Sequence, residues 1–130
     1  MDGDRLRSPY AWLRRVIHER RDLRTTSTAN VDVTFGRVPP GEQWYVTHLT
    51  AQDDDSAPDA IRVFATRPGQ ELLIEAEESP SAATPYWTGR SFWLLEGEEL
   101  VVRVVTPASG DDLQVHLEAE AYPTDPRREA

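Results

Sequence analysis

Three histidines, a run of acids and a cluster of aromatics are the residues of this chain whose types could do chemistry or recognise a partner. His18, His48 and His116 stand far apart, with no thiol or carboxylate at a ligand spacing. A zinc centre needs three or four such groups converging. The paired-histidine motif of a metal-binding cupin is missing; His48 and His116 could still meet across a sheet, but separate, satisfied or exposed histidines are the expectation. Asp53, Asp54, Asp55 and Asp59 crowd one short stretch, a density that could hold Ca²⁺. The stretch lacks the Gly and the distal Glu of a calcium-binding helix-loop-helix, so it reads as a solvated loop. No Gly-x-Ser-x-Gly elbow and no phosphate-cradling glycine loop occurs. Paired carboxylates are plentiful, but an acidic chain supplies them by composition, and a glycosidase also needs a cleft of the right separation. The expectation is a non-enzymatic protein with no catalytic residue, no metal and no cofactor.

Binding chemistry is better represented. Pro85-Tyr86-Trp87-Thr88-Gly89-Arg90 and Ser91-Phe92-Trp93 form the densest aromatic cluster of the sequence. Trp and Tyr beside a glycine can anchor a protein interface or stack on sugar rings. Tyr86, Trp87, Arg90 and Trp93 are therefore candidate contacts for a protein partner or a glycan. Phe92 and Leu94 fit the alternation of a core strand instead.

A second candidate surface lies near the amino terminus. Ser8 can cap a helix that begins at Pro9, where a missing N–H costs nothing, and Trp12, Leu13, Val16, Ile17 and Leu23 recur at helical spacing. The spacing predicts an amphipathic helix from about 9 to 23, with Arg14, Arg15, Arg20 and Arg21 on its other face. That face is simply solvated, or residues 1–24 are a helical arm that docks on a neighbour through Trp12, Leu13, Arg14, Val16, Ile17, Arg20 and Arg21; a nucleic-acid arm is the third and least favoured reading, since no aromatic interleaves the Arg residues in a stacking pattern.

The elements that must position these groups are strands. Val31, Val33 and Phe35 alternate with Asp32 and Thr34; Ile61, Val63 and Ala65 precede a turn at Arg67-Pro68-Gly69-Gln70, and Leu72, Ile74 and Ala76 follow it as a hairpin. Leu100, Val102 and Val104 mark the strongest strand. Leu113 to Ala121 alternates with Gln114, His116, Glu118 and Glu120 and should close the fold. Residues 43–51 are partly apolar on both faces, as in a central strand or one that faces a partner. Two similar units turn corners, Val38-Pro39-Pro40-Gly41-Glu42-Gln43-Trp44-Tyr45-Val46 and Leu94-Leu95-Glu96-Gly97-Glu98-Glu99-Leu100-Val101-Val102. The expected class is mainly β: an antiparallel, jelly-roll-like β-sandwich over 25–122, preceded by the helical arm of 1–24 and followed by a mobile tail at 123–130.

Composition sets outer bounds. With 130 residues and no Cys, the chain has room for one core without disulfides. Seven Arg face four acids in 1–24, a net of +3, while seven Arg face 19 acids in 25–130, a net of −12. Nucleic-acid and anionic-membrane binding both rest on Lys and Arg meeting phosphate, so an acidic body predicts neither partner. No signal peptide and no apolar run of the roughly 20 residues needed for a membrane helix is expected.

The segment order resembles that of small β-sandwich virion proteins of tailed bacteriophages. The likeness rests on a helical or basic leader, the Val38 to Val46 unit, Tyr86-Trp87-Thr88-Gly89-Arg90, and Leu95-Glu96-Gly97-Glu98-Glu99-Leu100-Val101-Val102. It spans roughly 31–122. It implies a virion component, a capsid decoration, connector or tail protein, that forms homo-oligomers and docks on other virion proteins. A sheet protein with more adhesive surface than a monomer needs fits that implication. The rival from another class is a carbohydrate-binding module with Tyr86, Trp87 and Trp93 as a flat stacking platform.

Overall fold

The computed structural model describes residues 15–124, and all regular structure within them is β. The strands are β1 (Arg15–Arg24), β2 (Val31–Arg37), β3 (Glu42–Asp53), β4 (Ala60–Arg67), β5 (Gln70–Glu78), β6 (Tyr86–Trp87), β7 (Phe92–Leu94), β8 (Glu99–Val105) and β9 (Asp112–Pro123). They form two antiparallel sheets. One has the order β1-β9-β3, with β6 and β7 sharing the far edge of β3; the other has the order β2-β8-β4-β5. Early strands pair with late ones, β1 with β9 and β2 with β8, so both ends of the described segment are stitched into the layers.

The sequence pattern explains most of this. On β9, Leu113, Val115, Leu117, Ala119 and Ala121 are all buried while the residues between them are half-exposed. Ile61, Val63, Leu100 and Val102 face them from the other layer in one continuous core. Fully burying a Leu or Val in such a core is worth about 1.5–3 kcal/mol, and a period of two delivers one face of each strand to it.

Two sequence expectations change. The first is the helix. Over the described residues, 15–24 are not helical but form β1, which runs antiparallel to β9 in unbroken register from Arg15 opposite Ala121 to Arg24 opposite Asp112. Ile17 is buried and Leu23 half-buried at a spacing of six, which suits a period of two; Val16 and Ile17, β-branched, favour a strand as well. The open side of β9 decides between the two periods, since without β1 the backbone groups of β9 that face away from β3 would lack a partner. Residues 15–24 are thus an integral edge of the sandwich. Trp12, Leu13 and Arg14 lie outside the described residues, as do 125–130 of the expected tail.

The second change is in β3. A β-bulge at Thr47 shifts the register between Val46, opposite Ala119, and His48, opposite Glu118. A one-residue slip exchanges the faces. Trp44 and Val46 point inward before it, Leu49 and Ala51 after it, and all four are buried. The mixed apolar character of both faces of 43–51 is this change of phase.

The two similar corners sit side by side. Gly97 N–H donates to Val38 O at 2.9 Å, Val38 N–H donates to Glu98 O at 2.8 Å, and Gly41 N–H donates to the Glu96 carboxylate at 2.6 Å. Gly41 and Gly97 both adopt φ near +80°, which a side chain would strain.

Candidate functional site

The outer face of the β1-β9-β3 sheet collects the residues of interest in cross-strand rows. One row reads Val16, Glu120, Tyr45 and Trp93; the next His18, Glu118 and His48; the next Arg20, His116, Thr50 and Trp87; the last Asp22, Gln114 and Gln52. Residues directly opposite on one face lie close enough to interact. All three histidines meet here. The His18 and His116 rings are 4.5 Å apart, His48 stands edge-on to His116 at 6.5 Å, and His18 Nε2 lies 3.8 Å from Glu118.

His18, His116 and Glu118 each offer a donor atom within 4.8 Å of the others. Two imidazoles and a carboxylate are the donor types a zinc-like ion accepts. A shallow depression of about 440 Å³ continues from them along Arg20, Thr50, Gln52, Pro85 and Gln114. At the other end of the face, Trp93 contacts Tyr45 at 4.8 Å and Tyr122 at 5.8 Å, with ring planes tilted by 45° and 58°.

The aromatic end is split by this geometry. Tyr86 is buried, and burial, with Glu75 beside it, pushes its hydroxyl pKa up. Trp87 and Trp93 are exposed, as is Arg90 in the turn that separates β6 from β7. Tyr86, Trp87 and Trp93 do not share a plane facing solvent. Trp87, 57 % exposed, makes little contact with the core. Trp87→Ala is expected to change the unfolding free energy by no more than about 0.5 kcal/mol in a urea titration; a loss above about 2 kcal/mol would show that it is a packing residue.

The leader residues divide as well. Ile17 belongs to the core and Val16 is 68 % exposed on the outer face. Arg20 pairs with Asp22 at 3.0 Å; Arg21 turns inward, pairs with Glu19 at 2.9 Å and stacks over Phe35 at 4.9 Å. The last contact puts β1 and β2 on one flank of the sandwich. On the opposite flank, Gly89 N–H donates to Glu75 of β5 at 2.8 Å, joining β5 to the β6–β7 turn.

The flanks end in two open edges. Among the described residues β1 pairs only with β9, and β5 only with β4. They differ in sign: β1 carries four Arg against Glu19 and Asp22, a net of +2, whereas β5 carries Glu71, Glu75, Glu77 and Glu78 with no basic residue, a net of −4. Their lengths match, ten residues and nine. Both edges carry uncovered apolar side chains, Val16 on β1, Leu72 (64 % exposed) and Leu73 (51 %) on β5. Leu72 is uncovered because the facing sheet has only the short, interrupted β6 and β7 at that flank. Alternation puts Leu72 on one strand of a hairpin, while Tyr45, Tyr122, Glu118 and the edges carry no such local signal. Their grouping depends on which strands are neighbours and which lie outermost.

The fold and this surface define the class: a two-layer antiparallel β-sandwich whose flanking strands are oppositely charged and, among the described residues, unpaired on their outer sides. No family model and no curated protein matches the chain. Among solved structures it is similar to one described as "Bacillus endospore appendages form a novel family of disulfide-linked pili", with a TM-score of 0.47 and 9% sequence identity, over 85% of this chain and 89% of that one.

Proposed function

We propose that the chain is a non-enzymatic, jelly-roll structural subunit that self-associates head to tail, the β1 edge of one copy adding to the β5 edge of the next. The observation that carries this reading is the pair of open edges on opposite flanks, matched in length and opposite in charge. An unpaired strand edge is a template for another strand. Net charge of one sign repels a second copy of the same edge, which disfavours β1 on β1 and β5 on β5. It favours β1 on β5. Internal ion pairs such as Arg20 with Asp22 and Arg103 with Glu71 leave each edge's net sign unchanged. Val16, Leu72 and Leu73 supply apolar area that such pairing would bury.

A heterologous contact of this kind yields a closed ring or an open filament. The resemblance of the segment order to small tailed-phage virion proteins makes a virion ring or tube the setting we assign. Docking on a neighbouring virion protein through Trp87 and Trp93 belongs to the same proposal. Light scattering of the purified chain over a range of concentrations tests it. Mass should rise above that of one chain with concentration and fall as NaCl is raised from about 0.05 to 0.5 M, where screening shortens the range of the edge charges. A single-chain mass at every concentration and salt level would overturn it.

A further inference from the structure

We infer that Asp53, Asp55 and Asp111 form a binding site for a hard divalent cation, Ca²⁺ before Mg²⁺, at the end of the sandwich away from the paired glycine corners. Four connections meet there. Thr25 N–H donates to Asp111 O at 2.8 Å, Asp54 N–H to Asp112 O at 2.9 Å, Asp59 N–H to Val105 O at 2.8 Å, and Ala83 N–H to Asp53 O at 2.8 Å. The cluster therefore has a rigid frame. Asp53 ends β3 on its inward face and is 2 % exposed; Asp111 comes from the β8–β9 connection and is 3 % exposed. Oxygens of these two and of Asp55 all lie within 4.8 Å of one another. That is twice a Ca²⁺–oxygen distance of about 2.4 Å, the most that two ligands of one ion can be apart.

The hydrogen bonds shape the cluster without satisfying it. Asp53 Oδ1 accepts from the N–H groups of Asp55 and Ser56, each at 3.1 Å, which curls the loop back on itself. Asp111 Oδ2 accepts from Ala108 N–H at 3.0 Å and from the Ser56 hydroxyl, and Asp55 Oδ2 accepts from Asp112 N–H at 2.7 Å. Asp53 Oδ2 is buried and has no hydrogen-bond partner. A buried carboxylate oxygen without a partner, next to a second buried carboxylate, is costly unless a proton or a cation stands between them. A cation held between the two carboxylates would supply the partner that Asp53 Oδ2 lacks. An all-oxygen, carboxylate-rich set on irregular loops suits the flexible coordination of Ca²⁺ better than the strict octahedron of Mg²⁺.

Thermal unfolding of the full-length chain, stripped with a chelator and then titrated at pH 7.5 with CaCl₂ or MgCl₂ at constant ionic strength, tests the site. Ca²⁺ at about 1 mM should raise Tm by about 5 °C or more, and Mg²⁺ by less. Asp53→Asn should raise the metal-free Tm and abolish the response. Asp59→Asn, in the same loop but outside the cluster, should keep it. Calorimetric Ca²⁺ titration of Asp55→Asn, which changes the exposed member, should show at least tenfold weaker binding and covers the case in which Asp53→Asn does not fold. No Ca²⁺ response in the wild type, or equal responses from the wild type and a folded Asp53→Asn or Asp55→Asn chain, would overturn the inference.

Discussion

A chain with Arg20→Glu and Arg24→Glu should be a monomer, as should one with Glu77→Arg and Glu78→Arg, and an equal mixture of the two should form dimers that grow no further. The first variant turns the β1 edge from +2 to −2, so it meets an acidic β5 with repulsion. The second removes the net charge of β5, and with it the attraction for β1. In the mixture one intact β1 faces one intact β5, while each dimer presents only altered edges outward. Growth stops at two. All four positions are exposed, so stability should change little; Arg20 gives up a surface pair with Asp22 at 3.0 Å and Glu78 one with Arg62 at 3.4 Å, each worth under about 1 kcal/mol. The association constant of each variant alone should fall at least tenfold, about 1.4 kcal/mol. Sedimentation velocity of the two chains, separately and mixed, reads the outcome. Variants that retain the wild-type mass would remove β1 and β5 from the contact, and a mixture that stays monomeric would exclude pairing of one edge with the other.

The second large effect concerns Asp53 in the absence of divalent ions. Its pKa is about 6 in the folded chain, raised from 3.8 by burial and by the neighbouring Asp111. For Asp111, burial acts to raise the pKa, but the nearness of Asp53, which holds the proton of the pair, and hydrogen bonds from Ser56 and Ala108 outweigh it and leave that pKa lowered. Between pH 4 and 6 the folded state thus holds a proton on Asp53 that the unfolded state has released. Stability falls as pH rises through that window and levels off above it, by up to about 3 kcal/mol in total. Asp111 acts in the opposite sense and lower down, its contribution being lost as pH drops below 3.8. Urea titrations in a chelator from pH 4 to pH 8 should therefore show the wild type weaker at pH 7 than at pH 4.5. Asp53→Asn should remove most of that slope and be the more stable chain at pH 7, since an amide can donate to Asp111 where a carboxylate repels it. A flat profile for the wild type would show that the two carboxylates are not held together in solution.

Most of the sheet was legible because its signals are local. A period of two, β-branched residues and glycine turns act within a strand or corner, so the strands at 31–37, 60–67, 70–78, 99–105 and 112–123 stand close to where alternation alone put them. The β1 segment was not legible. Trp12, Leu13, Val16, Ile17 and Leu23 fit a helical stripe as well as Ile17 and Leu23 fit a strand face, and propensity separates the two by less than one row of hydrogen bonds to β9 contributes.

The site divides in the same way. Residue types told which groups could bind: histidines, aromatics, arginines and a dense acidic loop. Their grouping was set by tertiary structure. His18, His48 and His116 share a face because β9 lies between β1 and β3 and because the bulge at Thr47 turns His48 outward. Asp53 was legible as one acid in a polar loop; that same bulge brings it inward, and the β8–β9 connection sets Asp111 against it. The sequence by itself determined a β protein, its corners and an acidic body. Which strands lie at the open edges, and which carboxylates are buried together, followed only from long-range strand pairing, because contact between residues as far apart as Asp53 and Asp111 leaves no periodic signal along the chain.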